Sequence, residues 1–172
     1  LKSFYKSKRI IASRGYLEAI TWSFVSFEQA SIGNKKKNVK IKNPISSDLD
    51  TMHSSIFPNL LSSINININR LYNNGKLFEV GPQYSGPKEE DQQMVASGIQ
   101  YGTVHTETWG DEKRMSDVFD VKSDVYFVLD QLNVPVDKVL YEESNNNFFH
   151  PGKSARLRIG KNILAQFGEI HP

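Results

Sequence analysis

Four histidines, a run of lysines and an acidic cluster are the side chains here whose types could do chemistry. His53 and His105 lie in polar stretches with no second ligand at metal spacing, so neither reads as a zinc site. His150, in His150-Pro151-Gly152, and His171, before Pro172, each follow aromatic or strand-like residues. A general base needs a carboxylate to orient it and a nucleophile beside it in space, and spacing along the chain supplies neither. Structural hydrogen bonding or exposure is the plainer role for all four. No serine sits in a glycine-flanked nucleophile elbow, and neither a G-x-x-x-x-G-K-[ST] loop nor a G-x-G-x-x-G turn is present. Lys35, Lys36 and Lys37, followed by Lys40 and Lys42, could neutralise a phosphate backbone, but such a run is first of all a solvated loop and strand face. Glu89-Glu90-Asp91 reads as a soluble acidic loop. Cysteine is absent, which removes disulfides, thiolate metal sites and cysteine nucleophiles together and fits a reducing cytosol. No residue is assigned a catalytic, cofactor-binding or metal-ligating role.

The elements that would position these groups can be read from punctuation and periodicity. Tyr5, Arg9 and Ile10-Ile11 belong to a helical stripe over 2–14 that ends at Gly15, a residue suited to the left-handed conformation just past a helix. LEAITWSFV (17–25) is rich in β-branched and aromatic types and reads as one strand. Ser26 and Gln29 fit a capping box that opens a short helix stopping near Gly33. Val39 and Ile41 alternate with lysines as a short strand, broken by Asn43-Pro44. In 58–72, Ile64, Ile66 and Ile68 alternate with asparagines at strand period, yet Leu61, Ile64, Ile68 and Leu71 fall at helical spacing. Pro58 at the start and Asn73-Asn74-Gly75 at the end decide for a helix of about 22 Å. LFEVGPQY (77–84) and QMVASGIQYG (93–102) read as strands joined by a Pro/Gly/acidic loop, and 103–116 as irregular. Val121, Val125, Val128/Leu129 and Leu132 mark a second long amphipathic helix, halted by Val134-Pro135. KVLYEES, SARLRIG and ILAQFGEI close the chain as strands, the last two joined tightly through Gly160-Lys161-Asn162. Hairpin-linked strands with separated helices indicate an α+β domain around an antiparallel sheet.

At 172 residues the chain suffices for one domain, which buries roughly 70% of its unfolded surface. Its net charge of +2, from 21 basic and 19 acidic side chains, lacks the basic excess of domains that hold nucleic acid chiefly by charge. The apolar runs are far shorter than the roughly 20 residues needed to span a bilayer, and the opening Leu1-Lys2 stretch carries no secretory signal. The missing initiator Met and the end at His171-Pro172 suggest a piece of a longer chain.

RGYLEAITWSFV (14–25) resembles the first conserved region of class II aminoacyl-tRNA synthetases, in which a helix ends in a glycine–aromatic pair, here Gly15-Tyr16, and a Glu-containing strand follows, here Glu18 through Phe24. Its version of that strand is typical of the phenylalanyl-tRNA synthetase β subunit. Five further blocks resemble that family in order. NPISSDLDTMHSSIFPNLLSSI (43–64) is similar to its Asn-Pro-Ile-Ser and S-x-x-P-x-L-L stretch, and LFEVGPQY to its Leu-Phe-Glu-x-Gly strand. VFDVKSDVYFVL (118–129) is similar to its Phe-Asp-x-Lys-Gly segment, with Ser123 where glycine is usual. HPGKSARLRIG (150–160) and FGEIHP (167–172) are similar to its His-Pro-Gly and Gly-Glu-x-His-Pro signatures.

The resemblance implies a class II synthetase-like antiparallel sheet flanked by helices, with residues 1–172 as one module of a longer β subunit. It also implies that this module does not catalyse. Active members carry a proline in the first motif, where Trp22 or Ser23 stands here. They carry a phosphate-binding arginine after the second motif strand, where Ser85 stands if LFEVGPQY is that strand. A neutral hydroxyl cannot supply a charged, fork-shaped contact to phosphate, and adenylate formation needs cations where charge develops. What the resemblance leaves is a cytoplasmic, non-catalytic module that packs against the catalytic α subunit. The heterotetrameric phenylalanine–tRNA ligase would charge tRNA(Phe) with phenylalanine, using ATP and magnesium bound elsewhere in the holoenzyme. Helix 2–14, strand 17–25 and helix 58–72 are the expected contact or its support. Two rival readings remain: an independent small-molecule ligase or hydrolase using His150, and a tRNA-binding module using Lys35–Lys42.

Overall fold

A computed structural model describes residues 2–32, 38–104, 109, 114–144 and 146–171. Of the positions singled out above, Gly33, Lys35–Lys37, His105 and Pro172 lie outside the described residues. The chain divides into two compact units, residues 15–99 and residues 1–14 with 100–172.

In the first unit, β1 (Leu17–Glu18) runs parallel to β5 (Gly75–Tyr84), with Leu17 opposite Leu77, and β6 (Gln92–Tyr101) lies on the other side of β5. A second small sheet places β4 (Thr51–Met52) between β2 (Phe24–Val25) and β3 (Val39–Lys40), both pairs antiparallel. Ser26 caps α2 (Phe27–Ser31) by accepting the Gln29 N–H at 3.2 Å. Helix α3 (Phe57–Asn69) wins over the alternating pattern: a strand would put Ile64, Ile66 and Ile68 on one face, whereas Leu60 and Ile64, one helical turn apart, are buried and Ile66 and Ile68 are exposed. Ile56, Leu60 and Phe78 are among the most deeply buried side chains of this unit.

Two expectations are corrected here. The strand expected over 17–25 is two short strands, and 19–23 leave the ladder. After the Ala19 N–H bonds to the Phe78 carbonyl at 2.7 Å, the Thr21 N–H and the Trp22 carbonyl bond to the side chains of Glu79 and Asn59, before the Ser23 carbonyl meets the His53 N–H in the register of β2 and β4. The β propensity of these residues is real, but side chains take the hydrogen bonds a strand would have used. Helix α3 also ends earlier than Asn73-Asn74-Gly75. Arg70 caps it and Leu71 takes the left-handed conformation at φ +66°. The Leu71 and Tyr72 N–H groups then bond back to the carbonyls of Ile68 (2.9 Å) and Asn67 (3.0 Å), a Schellman end. Gly75 instead opens β5.

The second unit holds α1 (Lys2–Ser13), α4 (Val118–Gln131) and an antiparallel sheet in the order β7 (Leu140–Glu143), β8 (Phe149–Ile159), β9 (Asn162–Ile170). Asp117 caps α4 by accepting from the Phe119 (2.8 Å) and Asp120 (3.2 Å) amides, and Asp120 returns the bond by accepting the Asp117 N–H at 2.8 Å. Gly160, at φ +59°, is first in the two-residue loop between β8 and β9, as a II′-type hairpin turn requires. The core is Leu129, Ala155, Leu157 and Phe167, with Val121, Val125, Val139 and Leu164 packed on it. Arg14 Nε reaches the buried Asp124 Oδ1 at 2.6 Å and its guanidinium lies 4.9 Å from the Phe127 ring centre, tying α1 to α4. No helix among the described residues is long and apolar enough to cross a membrane.

Candidate functional site: a buried polar cluster and the exposed segment it holds

The richest polar arrangement lies in the 15–99 unit and gathers Thr21, His53, Asn59 and Glu79 from four separate segments. Glu79 points inward from β5, flanked in sequence by the apolar Phe78 and Val80. Its two carboxylate oxygens accept the Thr21 N–H at 3.3 Å and the Thr21 hydroxyl at 2.7 Å. Asn59, in the first turn of α3, donates through Nδ2 to Thr21 Oγ1 and to the Trp22 carbonyl, each at 2.9 Å, and approaches His53 Nδ1 at 3.3 Å. His53, just past β4, bonds through Nε2 to the Pro82 carbonyl at 2.8 Å, while its backbone N–H donates to the Ser23 carbonyl at 3.0 Å. Gln29 Nε2 closes the cluster by donating to Asn59 Oδ1 at 3.1 Å and Ser62 Oγ at 3.3 Å.

Two carbonyls settle the proton positions. The Pro82 and Trp22 carbonyls can only accept, so His53 Nε2 carries its hydrogen and Asn59 turns its NH₂ toward Trp22. His53 is then neutral, with Nδ1 as the acceptor facing Asn59. Burial holds His53 below the ordinary imidazole value of 6.5, against the opposing pull of the Pro82 hydrogen bond and the Glu79 charge. His53 is only 2% exposed. The cluster is therefore closed to a substrate, and what it does is supply partners to an irregular stretch of backbone. The side chains on either side of the Thr21 anchor face outward: Ile20 is 88% exposed and Trp22 67%, with Leu17 at 70% nearby in sequence.

The positions singled out from sequence are distributed otherwise. Ser85 stands exposed just past β5, and both its N–H (2.9 Å) and its hydroxyl (3.0 Å) donate to the Asp91 carbonyl, closing the turn into β6. Glu89–Asp91 form a single exposed 3-10 turn, with Asp91 accepting the Lys88 N–H at 3.1 Å. Lys40 lies with Nζ 4.7 Å from the Phe27 ring centre. His150 Nδ1 accepts the Gly152 N–H at 3.1 Å, and the His150 ring stacks on His171 at 6.0 Å. Neither contact brings a carboxylate to His150. No group of three or more His, Cys, Asp or Glu able to hold a metal exists among the described residues.

Sequence reasoning saw His53 as a polar-stretch histidine and passed over Thr21, Asn59 and Glu79. Glu79 was the available signal: a lone carboxylate inside the apolar LFEVG run, where an acid is buried only if it is satisfied. Nothing comparable marks Asn59, whose role depends on a contact 38 residues away in sequence.

With this geometry in place, likenesses to known proteins fix the family. Residues 2–172 match the family model described as the phenylalanyl tRNA synthetase beta chain CLM domain. The phenylalanine–tRNA ligase beta subunit of Rhodospirillum rubrum is 40% identical over 166 residues, and that of Brucella abortus 37% over 172. Each alignment covers 96% of this chain and 21% of the relative, so the chain spans about a fifth of the length of the curated relatives it matches. Among solved structures, a pyrrolysyl-tRNA synthetase from Desulfitobacterium hafniense superposes with a TM-score of 0.67 at 14% identity, over 96% of this chain and 56% of that one. That likeness speaks for the fold alone, and it agrees with the α+β, class II synthetase-like architecture expected from sequence. The chain belongs to the phenylalanyl-tRNA synthetase β chain family, matching its CLM domain over nearly its whole length.

Proposed function

We propose that residues 1–172 form one non-catalytic, class II-like module of a longer phenylalanine–tRNA ligase β subunit. Its work is to pack against and support the catalytic α subunit while the cytoplasmic holoenzyme charges tRNA(Phe) with phenylalanine. The observation that carries this reading is the exposed segment 17–22. Leu17, Ile20 and Trp22 face out from a backbone that buried side chains hold in place. Three large apolar groups so close together on a fixed segment suit a protein partner better than water.

The chemistry of the second half of the reading points the same way. ATP would need a cation at its phosphates and acidic ligands for magnesium. Ser85 offers a neutral hydroxyl already donating to Asp91, and the described residues gather no acidic cluster of metal-binding size. On this reading ATP and magnesium are bound by the holoenzyme's catalytic part rather than by this module. The His150 enzyme reading lacks an orienting carboxylate among the described residues, and of the basic run only Lys40 and Lys42 fall within them.

Size-exclusion chromatography with light scattering, on this chain mixed with a catalytic α subunit, tests the packing. A stable complex is the expected result. Failure to form one, when the full-length β subunit does, would move the contact to another part of that subunit.

A further inference from the structure

His53 is a buried titratable group that the scaffold role leaves unused, and its surroundings make its protonation consequential. Neutral His53 uses Nε2–H on the Pro82 carbonyl and offers the Nδ1 lone pair to Asn59 Nδ2 at 3.3 Å. The same Asn59 NH₂ holds the Trp22 carbonyl and Thr21 Oγ1. Two amide hydrogens thus serve three acceptors, and the weakest contact is the one to the imidazole.

We infer that His53 and Asn59 form a proton-operated latch on residues 21–23. With His53 neutral, Asn59 grips the Trp22 carbonyl; a proton added at Nδ1 sets donor against donor and releases that grip. The balance is simple: one proton enters from solvent, the ring gains one positive charge, and no covalent bond between heavy atoms changes. Asn59 relieves the clash only by turning Oδ1 toward Nδ1–H. The Trp22 carbonyl and Thr21 Oγ1 then lose their donor, and Gln29 Nε2 loses the acceptor it holds at 3.1 Å. The side chain of Trp22 stands exposed already, so releasing its carbonyl loosens the segment at 22–23, while the Thr21–Glu79 bonds still hold it at Thr21.

The titratable groups facing His53 among the described residues are Glu79, whose charge favours the proton, and Tyr84, whose ring centre is 5.9 Å away, both on β5. From α2 and α3 the neighbours are neutral: Gln29, Pro58 and Asn59. From β2 and the residue before it come Val25 and the Ser23 carbonyl. Burial opposes the charge, so the latch opens below the ordinary imidazole value of 6.5. The device is local and stands whether or not the segment meets an α subunit.

Hydrogen–deuterium exchange by mass spectrometry on the full-length protein that carries this chain tests it. Peptides covering 19–25 are compared with the β8–β9 hairpin after correction for chemical exchange. Protection of 19–25 relative to the hairpin is expected to fall roughly tenfold from about pH 7.5 to about pH 5. His53→Gln, which cannot take the proton, should flatten that fall. Asn59→Asp, which has no N–H for the Trp22 carbonyl, should leave 19–25 poorly protected at every pH and so flatten the fall as well. A wild-type ratio that does not move with pH, or a fall that persists in His53→Gln, overturns the latch. Should neither variant fold, the wild type decides alone: the fall must follow a single-proton curve with its midpoint below 6.5, and any other shape overturns it.

Discussion

Asn59 faces more acceptors than it has hydrogens, so several buried groups of the 15–99 unit depend on this one side chain. Removing its amide leaves the Trp22 carbonyl, Thr21 Oγ1 and His53 Nδ1 without their donor at once. Orphaned buried polar groups cost about 1–3 kcal/mol each, offset where the chain relaxes or water enters. Asn59→Leu is therefore expected to destabilise this unit by about 2–4 kcal/mol. Urea unfolding of the two proteins checks this; a loss near zero would mean the cluster is ornamental. Gly168 shows the same dependence in the other unit. A Cβ there would lie 2.5 Å from the Ser154 Cβ and 2.9 Å from its Cα, because the two residues pair directly across β8 and β9. The glycine of the Gly-Glu-x-His-Pro block is thus a packing requirement of the hairpin. Likewise the Asp of the Phe-Asp-x-Lys block, Asp120, closes the capping box of α4, and the Glu of Leu-Phe-Glu-x-Gly holds Thr21. Of these three residues that carried the family resemblance, Gly168 and Glu79 make contacts far along the chain, and Asp120 a local one that sets the start of α4.

Elements announce themselves in sequence when their ends carry the right residues, and the left-handed caps illustrate where that signal fails. Gly15 after α1 (φ +83°) was legible, since glycine has no Cβ to clash. The left-handed residues that end α4 and α3 were not, although Val134-Pro135 marked where α4 stops. Asn133 (φ +61°) and Leu71 (φ +66°) occupy the corresponding place, and leucine carries no hint of it. Leu71 adopts this strained backbone with its side chain exposed, so little packing repays it. Leu71→Gly is expected to stabilise the 15–99 unit by about 0.5–1 kcal/mol, the relief of the left-handed penalty being partly offset by the looser unfolded chain. Thermal unfolding of both forms decides it, and a lower midpoint for the glycine form would show that Leu71 makes a contact worth more than its strain. The helices over 2–13 and 57–69, the strands over 75–84 and 92–101 and the closing hairpin were readable because period and punctuation agreed. The break at 19–23 was unreadable for the opposite reason. Ile20, Thr21 and Trp22 favour strand individually, and only partners from α3 and β5 draw their backbone away.

At the scale of the molecule, two physical facts meet: a buried polar cluster whose groups bond to one another and to the backbone of 21–22, and an apolar segment beside it in the chain that nothing within the described residues covers. On the non-catalytic reading proposed above, the module serves an assembly by presenting a shaped apolar face, and the cost of ordering that face is already met inside the fold. The holding cluster and the presented side chains can be separated experimentally, since Ile20 and Trp22 are exposed and make no side-chain hydrogen bond in the cluster. Ile20→Asp combined with Trp22→Asp places two charges where a partner would have to bury them, while the Thr21–Glu79 bonds remain. In the full-length β subunit this double variant is expected to unfold at the wild-type urea midpoint yet to bind the α subunit at least roughly tenfold more weakly, as buried unpaired charge at an interface demands. Ile66→Asp on α3, an exposed residue of another of the expected contacts, gives the comparison. If Ile66→Asp weakens the complex and the 20/22 pair does not, the α subunit sits on α3 rather than on the held segment. If neither does, the exposed segment serves something other than the α subunit, and of the three expected contacts only α1 is left to carry the packing role.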